Sequence, residues 1–120
     1  MYRIMIVEDD EVIARAVQQS LVSWGMDAFC VQDFSSVLAE FAVKNPQLVL
    51  MDIHLPFFNG FHWCQEIRKV SKVPVIFLSS ASDNMNIIMA VNMGGDDFIA
   101  KPFDLSVLTC LLYTSDAADE

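Results

Sequence analysis

The stretch Arg3-Ile4-Met5-Ile6-Val7-Glu8-Asp9-Asp10-Glu11-Val12-Ile13-Ala14-Arg15-Ala16-Val17 decides between fold classes. The apolar run Ile4–Val7 is too short for a helix and carries no polar alternation, so Arg3–Val7 reads as a strand buried on both faces. Acidic residues interrupt it. Beyond them Val12, Ile13, Ala16, Val17, Leu21 and Trp24 recur at three and four residues, the spacing of a helix with one apolar face, and Gly25 stands where such a helix would stop. The unit is therefore strand, acidic turn, helix.

The same alternation continues along the chain. Further strand-like runs lie at Ala28–Val31, Leu48–Met51, Val75–Leu78 and Phe98–Ala100. Between them, Ser35 or Ser36 can cap a second helix carrying Val37, Leu38, Phe41 and Ala42, with Pro46 ending it. Gly60 to Lys69 reads as a third helix, with Asn59-Gly60 turning the chain before it. Asp83 or Asn84 can open a fourth, through Met85, Ile88 and Met89 to Gly94-Gly95, and Asp104 a fifth. Five such units with short connections predict a doubly wound α/β domain, a parallel sheet with helices on both faces and right-handed crossovers.

Composition narrows the function classes. With 120 residues, 54% of them hydrophobic and 19% charged, the chain has the bulk of one globular domain. Its apolar runs fall well short of the roughly 20 residues that a membrane helix needs. Asp9, Asp10 and Glu11 break any leader-like start, so a cytoplasmic location is expected. A net charge of -9 argues against direct nucleic-acid contact by this segment. Cys30, Cys64 and Cys110 form no C-x-x-C pair and are odd in number, which encourages neither disulfides nor a thiolate zinc site.

In a doubly wound sheet, ligands bind beyond the carboxyl ends of the strands. The first strand runs into Glu8-Asp9-Asp10, the third into Asp52, the fourth into Ser79-Ser80 and the fifth into Lys101-Pro102. Carboxylates gathered on that rim repel by roughly 4 kcal/mol per pair at ~4 Å and an effective dielectric of ~20. Lys101 supplies one positive charge, and the surplus calls for a hard divalent cation with oxygen ligands, magnesium above all.

Ile-Val-Glu-Asp-Asp at 6–10, Leu-Met-Asp-Ile-His-Leu-Pro-Phe-Phe-Asn-Gly at 50–60, Leu-Ser-Ser at 78–80 and Asp-Asp-Phe-Ile-Ala-Lys-Pro-Phe at 96–103 resemble the signature segments of response-regulator receiver domains. The resemblance covers about residues 2 to 109. It implies a flavodoxin-like five-stranded sheet of order 2-1-3-4-5 and a phosphorylation switch with Asp52 as phosphoacceptor. Magnesium would be held by Glu8, Asp9, Asp52 and the backbone carbonyl of His54, with Glu8 acting directly or through water. It further implies that the Ser79 hydroxyl and Lys101 engage the phosphoryl group, that Phe98 is the switch aromatic, and that the Lys101-Pro102 bond is cis. A sensor histidine kinase is the implied donor, and self-dephosphorylation makes such a domain weakly catalytic rather than a conventional enzyme.

The segments 77–86 and 91–98 look most like transcription regulators of low-GC Gram-positive bacteria that respond to cell-envelope antibiotics. These append a winged-helix DNA-binding domain and pair through the fourth helix, fifth strand and fifth helix. Residues 110–120, Cys-Leu-Leu-Tyr-Thr-Ser-Asp-Ala-Ala-Asp-Glu, look instead like translated sequencing-adapter sequence, which sets a receiver at 1–109, a non-native tail at 110–120 and a fifth helix truncated or replaced. Setting aside Asp116, Asp119 and Glu120 leaves the chain acidic.

Competing readings attach to several of these residues. Asp10 reads first as a helix cap. His54, His62 and Cys64 match no zinc spacing. Met85, Met89 and Met93 share a stripe that reads as packing, with a partner-facing surface as the sharper alternative. Phe57 and Phe58 read as local packing, with kinase docking as the alternative. A haloacid-dehalogenase-type phosphatase also uses an aspartyl nucleophile and magnesium, but wants a second Asp where His54 stands. A degenerate receiver acting only as an interaction module is the third possibility.

Overall fold

A computed structural model of the chain describes residues 2–79 and 97–100, with Ser79 and the last four described by their backbone. The elements run β1 Arg3–Val7, α1 Glu11–Ser23, β2 Asp27–Cys30, α2 Val37–Lys44, β3 Leu48–Asp52, α3 Gly60–Arg68, β4 Val75–Ser79 and β5 Asp97–Ala100. All strand pairs are parallel, in the order β2-β1-β3-β4-β5. This is the doubly wound topology that the sequence predicts. The expected fourth and fifth helices, Ser80, the Met85/Met89/Met93 stripe, Lys101-Pro102 and the tail lie outside the described residues.

Alternation along each central strand divides the core into two. Ile4, Ile6, Leu48, Leu50, Ile76 and Leu78 face Ala14, Val17 and Leu21 of α1. Met5, Val7, Val49, Met51, Val75 and Phe77 face Val37 and Phe41 of α2 and Phe61, Cys64 and Ile67 of α3. Both faces of β1 and β3 are thus covered, which is why those strands are continuous apolar runs rather than alternating ones.

Helix ends follow local chemistry. Asp10 caps α1, its side chain accepting from the Val12 N–H at 3.0 Å and the Ile13 N–H at 3.3 Å. At the other end the Met26 N–H bonds Leu21 O and the Gly25 N–H bonds Val22 O, a Schellman motif that needs Gly25 at φ +85. Helix α2 closes on Asn45 in the left-handed region, just before Pro46. Ser36 occupies its N-cap position, yet its side chain makes no capping hydrogen bond.

Several boundaries differ by a residue from the sequence reading: β3 and β4 run on to Asp52 and Ser79, and β5 starts at Asp97. Strand β2 begins at Asp27 and ends at Cys30, one residue earlier than expected. The cause is at its start, where the Asp27 N–H bonds Tyr2 O at 2.9 Å and the Arg3 guanidinium meets the Asp27 carboxylate at 2.8 Å. Helix α3 ends at Arg68, with Lys69 as its cap. The helix starts at Gly60 as expected, with Asn59 as its N-cap, whose side chain accepts from the His62 N–H at 2.9 Å.

Candidate functional site

The parallel register Val7↔Met51 brings the residues after β1 beside the end of β3. Glu8 and Asp9 follow β1, Asp52 ends β3, and one carboxylate oxygen from each lies within 4.8 Å of the other two. Glu8 and Asp52 are each only 4% exposed, whereas Asp9 is open to solvent. At such separations each pair of charges repels by about 3 kcal/mol or more at an effective dielectric of about 20.

The donor set is all oxygen, so it suits a hard cation. Octahedral bonds of about 2.1 Å put neighbouring ligands roughly 3 Å apart and opposite ones roughly 4 Å apart, close to what these carboxylates already span. Asp10 is not part of the cluster, because capping α1 turns its carboxylate toward the Val12 and Ile13 amides. Its own N–H bonds Glu8 Oε2 at 3.3 Å and so steadies the neighbouring ligand.

Behind Asp52 lies a contact that the sequence did not announce. Gly60 donates its N–H to Ile53 O at 2.9 Å, and a Cβ at Gly60 would collide with the Asp52 backbone oxygen. Gly60 is therefore required by close approach rather than by a turn conformation. Phe57 instead takes the positive φ in this loop, at 68°, and stays 77% exposed. Phe58 packs locally as expected, stacked on His62 at 4.3 Å and edge-on to Trp63 at 5.5 Å.

Of the remaining expected site residues, Ser79 and His54 lie at the same rim, Phe98 lies further back within β5, and Lys101 lies outside the described residues. Asp52 pairs in register with Leu78, so Ser79 is one residue beyond it on β4, beside Ala100 of β5. Phe98 pairs with Phe77. His54 follows Asp52 by two residues with an exposed side chain, and His62 lies on α3. Among the described residues the three carboxylates form the group of metal-binding type, and no His or Cys joins them.

A cavity of about 190 Å3 opens beside Glu8 and Asp9. Glu11, Ala14, Arg15 and Gln18 wall it from α1, and Cys30, Val31, Gln32 and Phe34 from the end of β2 and the following loop. Burial pushes the Cys30 thiol up in pKa, with the Arg15 guanidinium pulling the other way, so the thiol stays protonated at neutral pH. No motif signals this cavity, because its walls come from segments that only the sheet order makes neighbours.

The response regulator receiver domain family matches residues 4–112. Over 108 residues the chain is 45% identical to the sensory transduction protein BceR of Bacillus subtilis (strain 168), covering 90% of this chain and 47% of BceR. It is 47% identical over 108 residues to the uncharacterized transcriptional regulatory protein YvcP of the same strain, covering 90% of this chain and 46% of YvcP. Among solved structures, the N-terminal domain of the lantibiotic response regulator NsrR, a nisin resistance regulator, superposes with a TM-score of 0.87. It is 46% identical, over 95% of this chain and 97% of that one. The chain spans about half the length of the curated relatives it matches. No described helix is long and apolar enough to cross a membrane.

Proposed function

The chain belongs to the response regulator receiver domain family, and from that premise we propose that it is a phosphorylation switch in which Asp52 accepts a phosphoryl group from a sensor histidine kinase. The observation that carries this reading is the gathering of Glu8, Asp9 and Asp52 within 4.8 Å, with Asp52 buried at the end of β3.

A carboxylate oxygen of Asp52 attacks phosphorus, the phosphorus–nitrogen bond of the donor's phosphohistidine breaks, and its electron pair returns to the leaving imidazole. The product is an aspartyl phosphate that water later hydrolyses. Glu8, Asp9, Asp52 and the His54 carbonyl hold magnesium, which when bound offsets charge on the transferring phosphoryl group. Ser79, one residue past the register partner of Asp52, turns its hydroxyl to the phosphoryl oxygens. Lys101 pairs with them, and Phe98 follows Ser79 inward, biasing two states of the β5 face. Chemistry of this kind is positioning and electrostatics, so the domain acts as a switch with weak self-phosphorylation and self-dephosphorylation.

In the parent protein the switch controls a winged-helix DNA-binding output and pairs through the fourth helix, β5 and the fifth helix, with residues 110–120 standing in place of native sequence. The likeness to NsrR supports a lantibiotic or related envelope stress as the stimulus. A cytoplasmic location agrees with a kinase donor. The phosphatase alternative loses its footing, since His54 occupies the position where its second Asp would act.

Intact mass after treatment with acetyl phosphate tests the proposal. A single phosphoryl adduct is expected with magnesium, none with chelator and none in Asp52→Asn. A folded wild-type chain that takes no phosphoryl group would make it a degenerate receiver.

A further inference from the structure

We propose that Glu40 is a positioning residue for the magnesium site, holding the loop between β2 and α2 as the outer wall of the cavity beside Glu8 and Asp9. The inference rests on the magnesium reading above. It begins from an anomaly at the start of α2, where the N-cap Ser36 makes no side-chain capping bond.

Glu40, in the first turn of α2, reaches back past the helix start. Its Oε2 accepts from the Gln32 N–H at 3.1 Å and from the Asp33 N–H at 2.9 Å. A negative acceptor makes such bonds stronger than neutral ones. The loop is also braced from within, as Asp33 Oδ1 accepts from the Ser35 N–H at 3.0 Å and the Ser35 hydroxyl at 2.6 Å. Gln32 and Phe34, on either side of Asp33, line the cavity from this loop together with Val31. The facing wall, α1, is fixed by the packing of Ala14, Val17 and Leu21. Glu40 therefore sets how far the loop stands from α1.

Magnesium keeps several waters when only a few carboxylates hold it. Waters on the Glu8 and Asp9 side have this cavity as their room, with the Gln32 and Gln18 amides within its lining. A loop released from Glu40 would carry the Gln32 side of that lining away from α1, open the cavity to bulk solvent and weaken the ion's hold.

The test uses the full chain and its Glu40→Ala and Glu40→Gln variants. It measures amide hydrogen exchange at residues 32 and 33, the magnesium Kd by calorimetry, and the magnesium-free melting midpoint. Groups that support metal ligands typically change affinity by about 10- to 100-fold, and through a loop an effect on the order of 3- to 10-fold is expected for Glu40→Ala. Exchange at both amides should accelerate together with the Kd rise, and Glu40→Gln, which keeps a carbonyl acceptor, should fall between. Asp27→Ala, which removes the Arg3 pair at the opposite end of β2, should lower the midpoint and leave the Kd unchanged. An unchanged Kd in both Glu40 variants, or unchanged exchange at 32 and 33, would overturn the inference. A wild-type chain without magnesium affinity would instead sink the reading on which it rests.

Discussion

Three carboxylates at one rim are a stability debt as well as a site. Asp9→Asn removes one charge from a cluster whose members lie within 4.8 Å. It should raise magnesium-free stability by about 1 kcal/mol, a fraction of the pairwise repulsion because Asp9 is exposed and screened. The same variant should lose the stabilisation that magnesium confers, which for the wild type at ten times its Kd is about 1.4 kcal/mol. Urea titrations with magnesium and with chelator read both signs. Gly60→Ala should cost about 1–3 kcal/mol in the same titrations and slow phosphorylation of Asp52, because the new methyl drives into the Asp52 carbonyl. The acidic pair after β1 and the lone Asp52 were legible from their place at strand ends. The role of Gly60 was not, because Asn-Gly has a ready meaning as a turn and nothing local announces a backbone passing a few ångström away.

Helix α1 is where capping and metal chemistry meet, and Asp10 separates them. Asp10→Ala should lower stability by about 1 kcal/mol with little change in magnesium affinity, since the carboxylate serves the Val12 and Ile13 amides. Thermal melts and calorimetry on one variant decide between cap and ligand. The loop before α2 should respond to acid. Hydrogen bonds from the Ser35 hydroxyl and N–H hold the Asp33 carboxyl below its ordinary pKa. Its contribution to loop order is present above the unfolded value and lost as pH falls through the lower folded one. The Ser35 amide resonance, followed by NMR through the acid range, should therefore move at a lower pH than an unperturbed Asp. Element type was readable throughout the described region because buried strands and one-faced helices carry different periodicities. Boundaries slipped by a residue where a tertiary contact, such as Arg3 with Asp27, extended pairing beyond the apolar run.

The molecule as a whole buries both faces of β1 and β3, and the two cores are stitched through alternate residues of the same strands. A covering helix that is lost or replaced should therefore weaken the entire sheet rather than one corner of it. If residues 110–120 stand in for native sequence, the chain as given should melt lower than one with a family-like fifth helix restored, and should sediment as a monomer after phosphorylation while the restored chain pairs. The sequence by itself determined the alternation of strands and helices, the parallel doubly wound class, and the identity of the acids that end β1 and β3. Those are properties of short runs, set by which side chains prefer burial and at what spacing. The role of Asp10 as the cap of α1 was legible as well. Only the tertiary structure decided that Gly60 must clear the Asp52 carbonyl and that Glu40 ties down the loop facing α1. Each depends on how the chain folds back on itself in the loop between a strand and the helix that follows, and that path is set by how the strand and helix pack, not by any local pattern of residues.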